Sequence, residues 1–337
     1  MYTAKGVSRV VVKNIIETIR DTMYEEMAKD ERVILLGEDV GVHGGVYNAS
    51  QGLHAAFGSE RVVDTPIAES SIVGIAIGAA LGGLLPIAEI QFADFVHSAI
   101  DQIISEAAKM RYRSNNDFHC PIVIRLPYGG GITGGLYHSQ CVEALFFSTP
   151  GLKIVAPTTP SDVKGLLRAA IHDPDPVIFL EHKLSYRKIK GEYPEGEHML
   201  EIGKADVKRE GTDLTVVSYG MTMHYALEAA ETLFAEEGID AEVVDLCSLL
   251  PLDRETIVES VKKTGKLLVV HEDNLTGGVG GEVAATVASE AFMYLDAPIQ
   301  RLASPDIPAT PYSPKLEHAM LLSEDDVRAA MLELARY

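Results

Sequence analysis

Residues 61–90 read RVVDTPIAESSIVGIAIGAALGGLLPIAEI, and the order of patterns in this stretch decides the fold. The β-branched run Arg61–Val63 predicts a strand, Ser70–Leu85 a helix, and Pro86–Ile90 a second strand. From Ser70 to Ala88 there are 19 uncharged residues, about the length that spans a bilayer. The flanks are acidic (Glu69 and Glu89), basic anchors are missing, and Pro86 interrupts the end. Gly74, Gly78 and Gly82 recur every four residues and so line one helix face, where another backbone can approach closely. The pattern therefore points to a helix buried in a soluble assembly, not to a membrane span.

The same alternation continues on both sides. Val12, Ile15, Ile16, Ile19, Met23 and Met27 mark the apolar stripe of a first helix. Strands are expected at Val33–Leu36, Ile122–Leu126, Lys153–Ala156 and Val177–Leu180, with helices at His97–Arg113 and Ser161–His172. A polar stretch with Gly191, Pro194 and Gly196 then reads as a linker. Beyond it, strands at Leu214–Ser218, Ala241–Asp245, Lys266–Val270 and Ile299–Leu302 alternate with helices near Met221–Glu237, Arg254–Lys263, Gly281–Ala291 and Glu324–Tyr337. The reading is α/β: two domains of unequal size, each a mostly parallel sheet flanked by helices. Residues 1–185 form the first, 186–205 the linker and 206–337 the second.

Composition narrows the function classes. A chain of 337 residues, 47% hydrophobic and 23% charged, is that of a globular protein. Lys5 and Arg9 lead into a mixed helix, not an apolar core, so export is not expected. Cys120, Cys141 and Cys247 are far apart with no CxxC pair, which fits a reducing cytoplasm and argues against a disulfide framework or a zinc site. A formal charge of −20 disfavours nucleic acid, whose phosphates it would repel. It suits either plain solubility or a basic protein partner.

Three segments fall at expected strand ends, where open α/β sheets collect ligands. The first is Asp64 to Ser71, in which Glu69 is either a helix-end acid favoured by the dipole or a carboxylate beside a buried surface, able to hold a proton. The second is Ala88 to Phe95, whose aromatics Phe92 and Phe95 are ordinarily core. The third is the loop Pro127 to Gln140, with five glycines among residues 129–135 and His138 near its end. A mobile surface loop with an incidental histidine is the plain alternative. The run Gly277–Gly281 does not match dinucleotide glycine spacing, and Asp173-Pro174-Asp175 reads first as a turn.

As an ordered set, these segments resemble the β subunit of the thiamine-diphosphate-dependent decarboxylating component of 2-oxo acid dehydrogenase complexes. Gly37-Glu38-Asp39-Val40-Gly41, Asp64-Thr65-Pro66 through Glu69, Glu89 to Phe95, Arg111-Tyr112-Arg113-Ser114 and Leu136-Tyr137-His138-Ser139-Gln140 carry the resemblance over nearly the whole chain. It implies a pyrimidine-binding domain followed by a transketolase C-terminal-like domain. It places Glu69 at N1′ of the cofactor's aminopyrimidine, Phe95 against that ring, and His138 at a channel mouth where acyl transfer to a lipoyl group is assisted. By the same matching, Ile122, Ala170, Asp173 and Asp175 fall where some members bind a structural potassium ion.

The tripeptide Gly-Asp-Gly, with which such enzymes hold the Mg2+-diphosphate, occurs nowhere in the chain. The resemblance therefore implies half a site: thiamine diphosphate shared with an α subunit that holds the Mg2+, in a heterotetramer of two α and two β chains. The implied activity is oxidative decarboxylation of a 2-oxo acid, branched-chain favoured, with acyl transfer to lipoyl-lysine of the acyltransferase component. Pyruvate or acetoin dehydrogenase β subunits share most of the segments. A split transketolase would want basic residues for a sugar phosphate, and a catalytically silent scaffold would not need Glu69 and His138.

Overall fold

The computed structural model describes residues 11–337; Lys5 and Arg9 lie outside the described residues. The first part runs β1 (Val11–Asn14), α1 (Ile15–Lys29), β2 (Val33–Gly37), α2 (Leu53–Phe57), β3 (Val62–Asp64), α3 (Glu69–Leu81), β4 (Leu85–Glu89) and α4 (Met110–Arg113). It continues through β5 (Val123–Tyr128), α5 (Glu143–Phe147), β6 (Lys153–Val155), α6 (Pro160–His172), β7 (Val177–His182), α7 (Ser185–Lys188) and β8 (Lys190–Tyr193). The second part opens with β9 (Asp206–Arg209), β10 (Leu214–Ser218), α8 (Gly220–Glu237), β11 (Ala241–Asp245), β12 (Ser248–Leu250) and α9 (Arg254–Thr264). It closes with β13 (Leu267–Asn274), α10 (Val279–Glu290), β14 (Gln300–Ser304), α11 (Pro314–Met320) and α12 (Glu324–Ala335).

Two mostly parallel sheets result, as the alternation requires. The larger has the order β12-β6-β7-β5-β4-β2-β3, the smaller β14-β13-β10-β11-β9. Only β12 in the first and β9 in the second run antiparallel to their neighbours. β12 belongs by sequence to the second part, yet it completes the sheet of the first by pairing Ser248 with Val155 and Leu250 with Ile154. One apolar cluster crosses the same junction, joining Ile178 and Leu180 to Val217, Val244 and Leu249. The stretch expected as a linker contains α7 and β8, and β8 pairs antiparallel with β1.

The helix that follows Glu69 stops at Leu81 and turns through Gly83, at φ +94°, into β4. It is apolar all round, so besides its buried face it leaves Ile75 and Leu81 exposed, with Ile67 just before it. Among the described residues no helix is long and apolar enough to cross a membrane. The helix expected at His97–Arg113 is instead three pieces: a 3₁₀ turn Ala93–Ala99, a wide π segment Gln102–Ala107, and α4. The wide turn is visible in the Ala108 N–H, which donates to Ile103 five residues back at 3.0 Å.

Candidate functional site

The three segments singled out in the sequence follow β3, β4 and β5, so the parallel register delivers all of them to one end of the sheet. Glu69 is the first residue of α3 and is half-buried in this chain. The burial expected for it is incomplete because the faces around it, marked by Ile67 and Ile75, lie at the surface. Ser98, on the turn after β4, donates its hydroxyl to Glu69 Oε2 at 3.2 Å and also to the Phe95 carbonyl at 3.2 Å. The Gly37–Gly41 segment joins the same end: Gly41 N–H donates to Asp64 at 2.6 Å and Gln91 Nε2 to the Glu38 carbonyl at 3.2 Å. A Cβ at Gly41 would fall 2.3 Å from the Asp64 carboxylate, which explains the glycine. Burial, with Asp39 and Glu69 nearby, pushes the Glu38 carboxyl up.

His138 stands edge-on to both aromatics of the second segment. Its ring centroid is 4.4 Å from that of Phe92 and 5.5 Å from that of Phe95. Phe92 and Phe95 are themselves edge to face at 6.1 Å, and both are half-buried, with Phe95 also packed against the hydrophobic core. Asp94, between them, is 8% exposed, and its Oδ1 accepts from the N–H groups of Ser139 (3.2 Å) and Gln140 (3.1 Å). That carboxylate fixes the far end of the glycine loop to the turn that carries the aromatics. A cavity of about 530 Å³ lies beside it, lined by Asp94, His97, Gln140, Cys141 and Asp273 among others. Glu69, Phe95 and His138, all half-buried, are not among its lining residues.

Behind this face lies a layer of buried charge. Arg125 on β5, fully buried, donates to both oxygens of Glu181 on β7 (2.6 and 2.8 Å) and to Glu89 on β4, while Tyr186 donates to Glu181 at 2.6 Å. Burial opposes the charge on Arg125, but the two carboxylates outweigh it and raise its pKa. At the junction of the two parts, His182 and Glu272 pair at 2.8 Å, and Gly130 N–H donates to Glu272 at 2.6 Å. Glu272 ends up lowered: burial raises it, yet His182 and the Gly130 N–H prevail. Burial brings Lys183 down to about 8. Burial and neighbouring Asp273 bring Glu143 up to about 8, despite hydrogen bonds from Tyr219 Oη (2.9 Å) and Val142 N–H (3.0 Å).

Of the four positions matched to a potassium site, Ala170, Asp173 and Asp175 lie at the end of α6 and on the turn into β7, while Ile122, just before β5, is tied to the start of β7 through Val177, and the two carboxylates are already paired. Lys153 Nζ contacts both Asp173 oxygens (2.7 and 2.6 Å), and Arg111 Nε contacts Asp175 at 2.7 Å. The Ile122 and Ala170 carbonyls accept from Val177 N–H (2.9 Å) and Asp173 N–H (3.3 Å), each keeping a second lone pair. Separately, Asp162, Asp245 and Cys247 converge in a buried group, but Lys208 Nζ occupies it, 3.1 Å from Asp162 and 3.8 Å from Asp245. The glycines at 277–281 open α10 as backbone at a helix start, and Gly278 and Gly280 lie against the His271 ring.

Three contributors escaped the sequence reading. Ser98 is a lone serine on an irregular turn, and its partner Glu69 is 29 residues away. Asp94 lies inside a quoted segment, but nothing local shows that its side chain reaches Ser139 and Gln140. Glu272 comes from the second part, and only the fold brings it to Gly130.

Comparison with known proteins matches this arrangement. The family model described as transketolase, pyrimidine binding domain, covers residues 13–188, and that described as transketolase, C-terminal domain, covers 203–327. The chain is 58% identical to the 2-oxoisovalerate dehydrogenase subunit beta of Bacillus subtilis, over 97% of this chain and 99% of the relative. It is 46% identical to the pyruvate dehydrogenase E1 component subunit beta of the same organism, over 96% and 97%. Among solved structures, a split gene transketolase described as an inactive beta4 tetramer superposes with a TM-score of 0.76 at 26% identity, covering 96% of this chain and 98% of that one. On the sequence, the fold and these relatives together, the chain belongs to the family of 2-oxo acid dehydrogenase β subunits, in which a transketolase pyrimidine-binding domain precedes a transketolase C-terminal domain.

Proposed function

We propose that this chain is the β half of a thiamine-diphosphate-dependent decarboxylating enzyme that, with an α subunit, acts on a branched-chain 2-oxo acid. The observation that carries the reading is the link from Glu69 through Ser98 to Phe95, with His138 edge-on to Phe95, in one half-buried face at the strand ends. That face supplies a carboxylate and aromatic edges suited to an aminopyrimidine ring. Gly-Asp-Gly does not occur in the chain, which supports a Mg2+-diphosphate held by the α subunit. Residues 1–185 act as the pyrimidine-binding domain and 206–337 as the transketolase C-terminal-like domain. The 58% identity to a 2-oxoisovalerate dehydrogenase β subunit, against 46% to a pyruvate dehydrogenase β subunit, favours the branched-chain substrate.

Thiamine diphosphate, when bound, supplies the electron sink for loss of CO2. The chain's own residues supply placement and proton control. Ser98 binds Glu69 Oε2, which leaves Oε1 to hold and release a proton at N1′ of the pyrimidine. Phe95 packs against the ring. His138, edged by Phe92 and Phe95, gives a proton to a dithiolane sulfur as the acyl group moves to the lipoyl arm of the acyltransferase. The −20 charge steers a basic segment of that partner to the surface. A potassium ion at Ile122 and Ala170 would be held by carbonyl lone pairs, since Lys153 and Arg111 already neutralise Asp173 and Asp175.

The test is coexpression with a chain of similar size that carries Gly-Asp-Gly, followed by dye-linked decarboxylation of 3-methyl-2-oxobutanoate and pyruvate side by side. Thiamine-dependent turnover is expected only from the pair, faster with the branched substrate. Glu69→Gln should abolish it while the chains still assemble. Turnover by the β chain alone would reject the half-site.

A further inference from the structure

The loop that presents His138 is gripped from the second domain by a carboxylate that has no part in the site described so far. Glu317 lies on α11, where only it and Met320 are buried; its side chain is 4% exposed. Its Oε1 accepts from Gly131 N–H at 3.0 Å, and both oxygens accept from Thr133 N–H at 3.1 Å. These two amides are its hydrogen-bond partners among the described residues. A buried carboxylate whose hydrogen-bond partners are both backbone N–H groups needs those dipoles well aimed, because an ion buried without compensation is strongly disfavoured.

The loop is shaped to provide them. Gly129, Gly131, Thr133 and Gly135 have φ of +86°, +82°, +59° and +66°, so every second residue is left-handed. Alternation of this kind turns neighbouring N–H groups to one side and makes a concave nest for an anion. Thr133 is the telling member: a β-branched residue at positive φ is strained and persists only when its surroundings over-determine it. The same stretch of the second domain closes on the loop elsewhere. Thr310 Oγ1 donates to the Ser139 carbonyl at 3.2 Å, and the Tyr312 ring packs so closely on Gly135 that a Cβ there would fall 2.2 Å away. Leu321, next to α11, covers Gly130. His138 thus stands on a loop held on both sides of it by residues 310–321.

We infer that Glu317 is a positioning residue for His138: its carboxylate fills the nest, sets the loop, and so places the imidazole against Phe92 and Phe95. The inference rests on the function proposed above and adds a split to it. Proton control at Glu69 does not pass through this loop, whereas acyl transfer at His138 does. The second domain, through one carboxylate, governs the second half of the reaction.

The experiment uses the assembled α and β chains, with Glu317→Ala and the milder Glu317→Gln, which keeps one carbonyl acceptor. Amide hydrogen exchange of residues 129–137 is measured without substrate, alongside dye-linked decarboxylation and reductive acylation of an isolated lipoyl domain. In Glu317→Ala, exchange at Gly131 and Thr133 should speed up about tenfold or more and lipoyl acylation fall roughly tenfold to a hundredfold, with dye-linked turnover within about twofold of the parent. Glu317→Gln should lie between the two on both readouts. Unchanged exchange overturns the nest, and equal loss of both activities makes Glu317 a merely structural residue. The exchange arm involves no catalysis, so it decides the inference even if the parent enzyme proves to have another substrate.

Discussion

Thr133 and Glu317, 184 residues apart, meet through one N–H shared between two carboxylate oxygens at 3.1 Å each. The contact holds a β-branched residue at a φ of +59°. A glycine at 133 relieves that strain, and the gain offsets the entropy that glycine loses on folding. Thr133→Gly should therefore leave the chain as stable or more stable by about 1 kcal/mol in urea unfolding. A clear loss of stability would mean that Thr133 is not strained.

Ser98 should tune Glu69 without replacing it. Removing its hydroxyl takes one hydrogen bond of about 1 kcal/mol from the carboxylate. Ser98→Ala is expected to slow dye-linked decarboxylation roughly threefold to tenfold with assembly unchanged. Turnover equal to the parent's would remove Ser98 from the site.

Arg125 should be intolerant of substitution. Arg125→Met leaves Glu89 and Glu181 buried without their shared cation, a loss of about 3–5 kcal/mol by comparison with other broken buried pairs. Urea unfolding of the β chain measures it, and a loss below about 1 kcal/mol would show that the carboxylates simply take up protons.

Glu143 sets a pH dependence with a definite sign. Its folded pKa, about 8, is above the ordinary glutamate value of 4.5, so between those values the folded chain holds a proton that the unfolded chain has released. Its contribution to stability is present in full below about 4.5 and is lost as pH rises towards 8. Glu143→Gln cannot ionise, so the stability difference between variant and parent should move in the variant's favour from pH 5.5 to 8.5. A difference that stays constant over that range would place the folded pKa of Glu143 near its ordinary value.

Potassium can be tested independently of activity. If the carbonyls of Ile122 and Ala170 hold it, exchanging KCl for tetramethylammonium chloride at equal ionic strength should lower Tm by a few degrees, as loss of a ligand bound only by the folded state requires. The same Tm in both salts would discard the site.

The sequence was most legible where periodicity and chain order carry the information. Alternating runs located the parallel strands of both sheets but not the antiparallel β9 and β12, and three strand-end segments converged because parallel strands send their carboxyl ends one way. Residues at a distance were not legible. Glu317 sits on a seven-residue helix among exposed neighbours, and no local pattern marks it as buried. The role of Phe92 and Phe95 was not legible because residue type reports average burial: Phe95 does pack against the core, but both half-buried rings also frame His138. The broken helix at 93–113 was hidden for a related reason: an inserted wide turn shifts the periodicity without altering composition.

The strand Ser248–Leu250 has a consequence for how the chain is made. β6 lies next to the edge of its sheet, and its outer side is closed only by residues synthesised almost a hundred positions later. A ribosome that has just released residue 205 has produced a nearly finished sheet in which β6, besides the edge strand β3 at the other end, is an open margin, the kind of margin that pairs with any strand it meets. Expressing the first domain alone should accordingly give material that sticks to itself. Folding to completion must wait until Leu250 emerges, so any chaperone that attends this chain has a defined interval in which to act.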